Sequence, residues 1–193
     1  MRYIIHSLFK GPIREYQQGM VDEIQTWFGL TFTKEQGLQP HFTLKYWFET
    51  DDLPPLESLT ARFADGHKRE PIRVGGFDHF DREVIFTRVI LSDSARNLYL
   101  QFISELRKLT CMTWVRFDAE RLHFHSTIAE KSGAKFEDVW TFLQGKERHF
   151  DSHFDNISIL RQSGYTDSGL DLWELEREFT LRWFSSHVTN RWT

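Results

Sequence analysis

The sequence predicts an α+β fold of two pseudo-symmetric lobes, each with an antiparallel-rich sheet. Three observations predict it. Strand and helix periodicities alternate from Tyr3 to Leu181 without segregating into an all-helical or an all-strand half. After a first strand, the order helix, strand, helix, hairpin occurs and then recurs as helix, strand, helix, strand pair, a repeat of topology rather than of letters. No Pro/Ser-rich linker separates the halves. The expectation is one two-lobed domain over residues 1–193, with lobe one at about 10–91, lobe two at about 92–181 and a tail at 182–193.

Each element has a local reason. Tyr3 to Phe9 alternate and run into Gly11-Pro12, which reads as a strand and a turn. Arg14 to Phe28 carry Tyr16, Met20, Ile24 and Trp27 at helical spacing, and Gly29 and Gly37 punctuate the loop that follows. His41 to Phe48 read as a strand, and Pro54-Pro55 open a helix to about His67. Ile72–Phe80 and Val84–Leu91 are rich in β-branched and aromatic residues around Asp81-Arg82-Glu83, the pattern of a hairpin. Ser92 or Asp93 caps a helix with an apolar stripe from Leu98 to Leu109 and Arg107 and Lys108 in its last turn. Leu122–Ala129 is a strand, Phe136–Leu143 a helix, and Phe154–Leu160 with Leu172–Leu181 a strand pair.

Composition bounds the function. Lys and Arg number 24 against 28 Asp and Glu, for a net charge of −4, and 40% of residues are hydrophobic. A chain of this size buries roughly 70% of its unfolded surface, enough for a core without staples. Proteins that hold long DNA or RNA do so through excess Lys and Arg, so this balance argues against a long polyanion while allowing a pocket for one phosphate. The single cysteine, Cys111, cannot form an internal disulfide and sits in an apolar stretch, which suits a reducing compartment. No segment reaches the ~20 apolar residues of a membrane span. A cytoplasmic monomer is expected.

The two central strands contain His41-Phe-Thr43-Leu44 and His125-Ser-Thr127-Ile128, both His-x-Thr-hydrophobic. Positions i and i+2 of a strand share a face, so each histidine projects with its threonine while Leu44 and Ile128 face the packing. Composition alone predicts roughly half a match to such a pattern, taking random order as the reference. The weight comes from placement: the offset, 125 − 41 = 84, matches that of the flanking helices, which relates the motifs by a pseudo-twofold axis.

PHFTLKYWF and LHFHSTIAE resemble the paired motifs of the 2H phosphoesterase superfamily, which includes 2′-5′ RNA ligase-like and cyclic phosphodiesterase proteins. The stretches from Phe154 to Gly164 and from Leu172 to Leu181 resemble the strand pair that closes this family. A basic residue after the first motif, Lys45, is similar to the YjcG-like branch. The resemblance implies sheets that form a central cleft with helices outside, no cofactor, a small nucleotide or RNA end as partner, and catalysis by both histidines.

The chemistry suits the residues independently of the family. Opening a 2′,3′-cyclic phosphate needs one group to take a proton from water and another to protonate the leaving ribose oxygen, which two histidines can do near pH 7. Thr43 and Thr127 can donate to the non-bridging oxygens, and Lys45, continuing the His41 face, adds a cation. Which histidine is base and which acid stays open at this level, as does hydrolysis against ligation.

The further candidates are His123, on the His125 face, and Arg161 and Tyr165, which flank the loop between the last two strands and are placed to hold a phosphate or stack a base. Two alternatives compete with catalysis by paired histidines. One is a non-catalytic module that binds phosphate or nucleotide. The other is a metal hydrolase ligated by His123 and His125 with His149 or His153, although Asp151 and Asp155 around these read as a solvated loop and the Glu of a hydrolytic zinc motif is missing. His6, His67, His79 and His187 have no partner in the sequence and read as surface or fold residues; Gly75-Gly76 reads as a bulge or turn without function.

Overall fold

Two four-stranded antiparallel sheets flank one cavity. The structure, a computed structural model, describes residues 1–114, 118 and 123–183. Its strands are β1 (Arg2–Leu8), β2 (His41–Glu49), β3 (Glu70–Phe80), β4 (Val84–Leu91), β5 (His125–Glu130), β6 (His149–Phe154), β7 (Asn156–Tyr165) and β8 (Asp171–Thr180). The helices are α1 (Gly11–Phe28), α2 (Phe32–Glu35), α3 (Pro54–Gly66), α4 (Asp93–Leu106) and α5 (Phe136–Leu143). One sheet has the order β2-β1-β7-β8 and the other β5-β4-β3-β6. Across the repeat these orders correspond, with β2 and β5 each at an edge.

The sheets do not follow a sequential division at residue 91. Hairpin β3–β4, placed in lobe one by chain order, belongs to the sheet of β5, and β7–β8 return to the sheet of β1 and β2. Only Asp155 separates β6 from β7, so the chain steps between sheets there. Local pattern specifies a hairpin as a unit, whereas the edge it joins depends on which partner leaves its apolar face covered.

Several boundaries differ for local reasons. Helix α1 begins at Gly11, because Pro12 is compatible with a first turn whose N–H groups lack helical acceptors. It ends at Gly29, whose left-handed φ of 63° lets its N–H reach the Gln25 carbonyl at 2.8 Å. Ser92 caps α4, accepting from the Ala95 N–H at 3.2 Å, but the helix stops at Leu106, so Arg107, Lys108 and Leu109 lie beyond it. Residues 149–154 form strand β6 rather than a solvated loop. Paired on one side to β3 and at the edge of its sheet among the described residues, this strand tolerates His149 and Asp151 facing solvent. Leu122, His187 and the tail from 184 lie outside the described residues.

The main core collects Leu56 and Phe63 of α3, Phe102 and Leu106 of α4, and Phe42, Leu44 and Phe48 of β2. A second cluster joins Val21 and Ile24 of α1 to Ile85, Ile128 and Val139. Both draw on the sheet faces turned away from the cavity, so the alternation that buries Phe42 and Ile128 presents His41 and His125 to the other side.

Candidate functional site

In β2, His41 and Thr43 are half-buried while Phe42 and Leu44 are buried; in β5, His125 and Thr127 are half-buried while Ser126 and Ile128 are buried. The two edge strands face each other, and His41, Thr43, His125 and Thr127 all line one cavity of about 490 Å³. The backbone orients both rings in the same way. His41 Nδ1 lies 2.7 Å from the Gln39 carbonyl oxygen, and His125 Nδ1 lies 2.6 Å from the His123 carbonyl oxygen. A carbonyl can only accept, so Nδ1 carries the proton in each ring and Nε2 is the nitrogen available for chemistry.

The strands share a further irregularity. In the β1–β2 pairing, Thr43 lies opposite His6 and Lys45 opposite Ile5; in β4–β5, Thr127 lies opposite Phe86 and Ala129 opposite Ile85. Each strand thus carries one extra residue just past its threonine, a bulge that resets the alternation. Tyr46 and Glu130, again 84 residues apart (130 − 46 = 84), come to the cavity, and Lys45 and Ala129 turn inward.

Lys45 therefore does not supply a cation to the cavity. Its side chain is 0% exposed and its Nζ is 2.7 Å from the Asp118 carboxylate, which also accepts the Tyr46 N–H at 3.2 Å. Burial lowers the Lys45 pKa, and the Asp118 bond and charge oppose that shift. His123 contributes its backbone carbonyl to His125, while its exposed ring lies outside the cavity, 6.3 Å from Phe80. Arg161, also outside the cavity, is held by Glu176 at 2.9 Å and Glu174 at 3.4 Å on the neighbouring strand. Tyr165 is exposed at the end of β7; that hairpin instead sends Asp171 and Trp173 into the cavity. His149 and His153 lie on β6, at the opposite edge of the sheet from His125, and among the described residues no group of three or more metal-ligating side chains gathers.

His6 belongs to the site, although nothing in the sequence sets it apart. Its ring stacks on that of His41, with centroids 3.7 Å apart and planes 6° from parallel, and it lines the cavity. His6 Nδ1 is buried without a hydrogen-bond partner among the described residues. Only the β1–β2 register makes this pairing, because nothing in the helices between these strands says which rung of β1 faces Thr43. In the second sheet the equivalent place is taken by Phe86, 4.9 Å from His125, with Phe80 edge-on at 5.0 Å. Trp47, 44% exposed, also lines the cavity.

Electrostatics separates the two histidines. Burial pushes His41 down to about 4, with the Gln39 carbonyl opposing and His125 adding to the shift. His125 is also lowered, chiefly by burial. His6 lies well below the ordinary histidine value, through burial and then the neighbouring His41. Glu130 is raised by burial, and Tyr46 by burial followed by Asp118 and Glu130.

Two antiparallel sheets whose edge strands turn His-x-Thr pairs toward one cavity define the class: the fold is that of the 2H phosphoesterases. The sequence model of the 2′-5′ RNA ligase superfamily matches residues 17–166, and the chain belongs to that superfamily. Among solved structures it resembles TT0787 of Thermus thermophilus, with a TM-score of 0.68 at 14% identity, covering 94% of this chain and 98% of that one. It also resembles E. coli LigT complexed with NADP+, at a TM-score of 0.60 and 10% identity, covering 93% and 97%. LigT complexed with 3′-AMP matches at 0.57 and 12% identity, covering 93% and 97%. No curated protein sequence matches the chain.

Proposed function

We propose that the protein is a metal-independent phosphoesterase that hydrolyses, or reversibly ligates, a 2′,3′-cyclic phosphate or related 2′-5′ phosphodiester of a small nucleotide or RNA end. The observation that carries this reading is the pair of His-x-Thr strands, each bulged just past its threonine, with rings oriented by matching carbonyls, facing one cavity. LigT, solved with 3′-AMP and with NADP+, supports a nucleotide-sized ligand for a cavity of this shape.

In the hydrolytic direction His41, kept neutral by its enclosure, is the base: its Nε2 takes a proton from water as the water oxygen bonds to phosphorus. His125, less strongly desolvated, is the acid, protonating the ribose oxygen as its bond to phosphorus breaks. The proton lost by His125 is replaced from solvent and the one gained by His41 is returned, so the enzyme is regenerated; in ligation the hydroxyl of a second strand takes the place of water, its oxygen bonding to phosphorus as the cyclic bond breaks. Thr43 and Thr127 donate to the non-bridging oxygens, where charge builds up. Trp47 and Trp173 line the part of the cavity suited to a base.

The test is turnover of 2′,3′-cyclic nucleotides with EDTA present, by the wild type, His41→Ala and His125→Ala. Loss of turnover in both variants supports the reading. Full activity in either removes that histidine from the chemistry. Calorimetric binding without product by the wild type would make the protein a binding module.

A further inference from the structure

We propose that the sheet face beyond His125 is a groove for the single-stranded RNA chain attached to the reacting phosphate, an inference that rests on the phosphodiester reading above. Residues directly opposite in an antiparallel pair share a face. β4 places Phe86 opposite Thr127 and Arg88 opposite His125, and β3 places Asp78 opposite Phe86. The face that bears the His-Thr pair therefore continues across β4 onto β3. There Arg88, Phe80 and Asp78 line a second cavity of about 480 Å³ with Arg96 and His123. Phe80 and Phe86 pack against His125 from this side, so its ring stands between the two cavities.

The groove has the chemistry of a single-strand site. Neither Arg88 nor Arg96 is in an ion pair among the described residues, whereas Arg73 and Arg82 in the same lobe are paired to Asp151 and Glu137. The carboxylate of Asp78 accepts the His79 backbone N–H at 2.9 Å. Phe80, 37% exposed, offers a ring to a base. Arginines on phosphates with an aromatic ring under a base is how single strands are commonly held. The Arg88 guanidinium packs over Gly76, where φ is 71° and a Cβ would displace it. The first sheet has no counterpart, because the residue opposite His41 is the buried Leu8. A net charge of −4 opposes a long polyanion but not a segment of a few nucleotides.

The experiment compares kcat/KM on a 2′,3′-cyclic mononucleotide and on a short RNA ending in the same cyclic nucleotide, for the wild type and the Arg88→Gln/Arg96→Gln variant. The ratio of oligonucleotide to mononucleotide efficiency is expected to fall on the order of tenfold in the variant, with a shallower salt dependence. An unchanged ratio overturns the groove. Fluorescence anisotropy of a labelled, 3′-phosphorylated RNA of the same length reads binding without turnover. Weaker binding by the variant upholds the groove even if cyclic phosphates are not hydrolysed, and equal binding by a variant of wild-type thermal midpoint overturns it whatever the reaction.

Discussion

Around His41 the neighbours are the stacked ring of His6, the buried Leu8 across the strand and the Gln39 carbonyl; around His125 they are Phe86, Phe80, an exposed Arg88 and the His123 carbonyl. What the halves share is backbone: alternation, a bulge after the threonine and a carbonyl two residues upstream. What differs is the side chain behind each ring. The backbone thus sets where an imidazole points, and its neighbours set how readily it takes a proton; the proposed division into a base in one half and an acid in the other rests on that difference.

The largest expected effect breaks the halves one at a time. His41→Ala and His125→Ala should each lower kcat by about 10²–10⁴-fold on a cyclic nucleotide, the usual size of one positioned proton transfer. A much smaller loss in one half would mean that half only binds.

Next in size is the position just past each bulge, where one half has Lys45 and the other Ala129. Lys45→Ala makes the first half like the second but removes the buried ammonium that neutralises the Asp118 carboxylate, which should cost about 3–5 kcal/mol in denaturant unfolding. The double variant Lys45→Met/Asp118→Leu should recover much of that loss. No recovery would mean that the pair itself stabilises the strand.

The pH dependence sharpens the difference between the histidines. kcat/KM should be bell-shaped, rising as free His41 loses its proton near pH 4 and falling again, still below pH 6.5, as His125 loses the proton it must donate. His6→Ala opens His41 to water. With less desolvation its pKa rises, so the acid limb should move to higher pH. An unmoved limb would make His6 a packing residue only.

A smaller effect concerns stability. The native state keeps His41 and His6 neutral at pH values where the unfolded chain would protonate them. Stability should be full above pH 6.5 and decline as the pH falls toward 4, by about 1.4 kcal/mol per pH unit for each histidine. His6→Phe, which makes the first half like the second, should flatten that slope by one proton in urea titrations.

Much of this is legible in the residues. The two motifs, their common offset and most elements follow from periods of 2 and 3.6 and from the Ser92 cap and Pro and Gly punctuation. Alternation carried unbroken through β2 misplaces Lys45, because no residue type there announces a bulge. His6 escapes a reading of the sequence because its role depends on strand register across a gap of 35 residues (41 − 6 = 35). Arg161 points to its neighbours on β8, a choice made by the cross-strand carboxylates of Glu174 and Glu176.

The sequence by itself determined the α+β character and the repeat, and through them the faces on which His41, Thr43, His125 and Thr127 lie, because these are local properties of strands and helices. The tertiary structure alone decided that the hairpins exchange sheets, that Lys45 pairs with Asp118, and that His6 backs one histidine while Phe86 backs the other. Those outcomes depend on which segments, distant along the chain, meet with their apolar faces covered and their buried charges paired, and no local pattern encodes that choice.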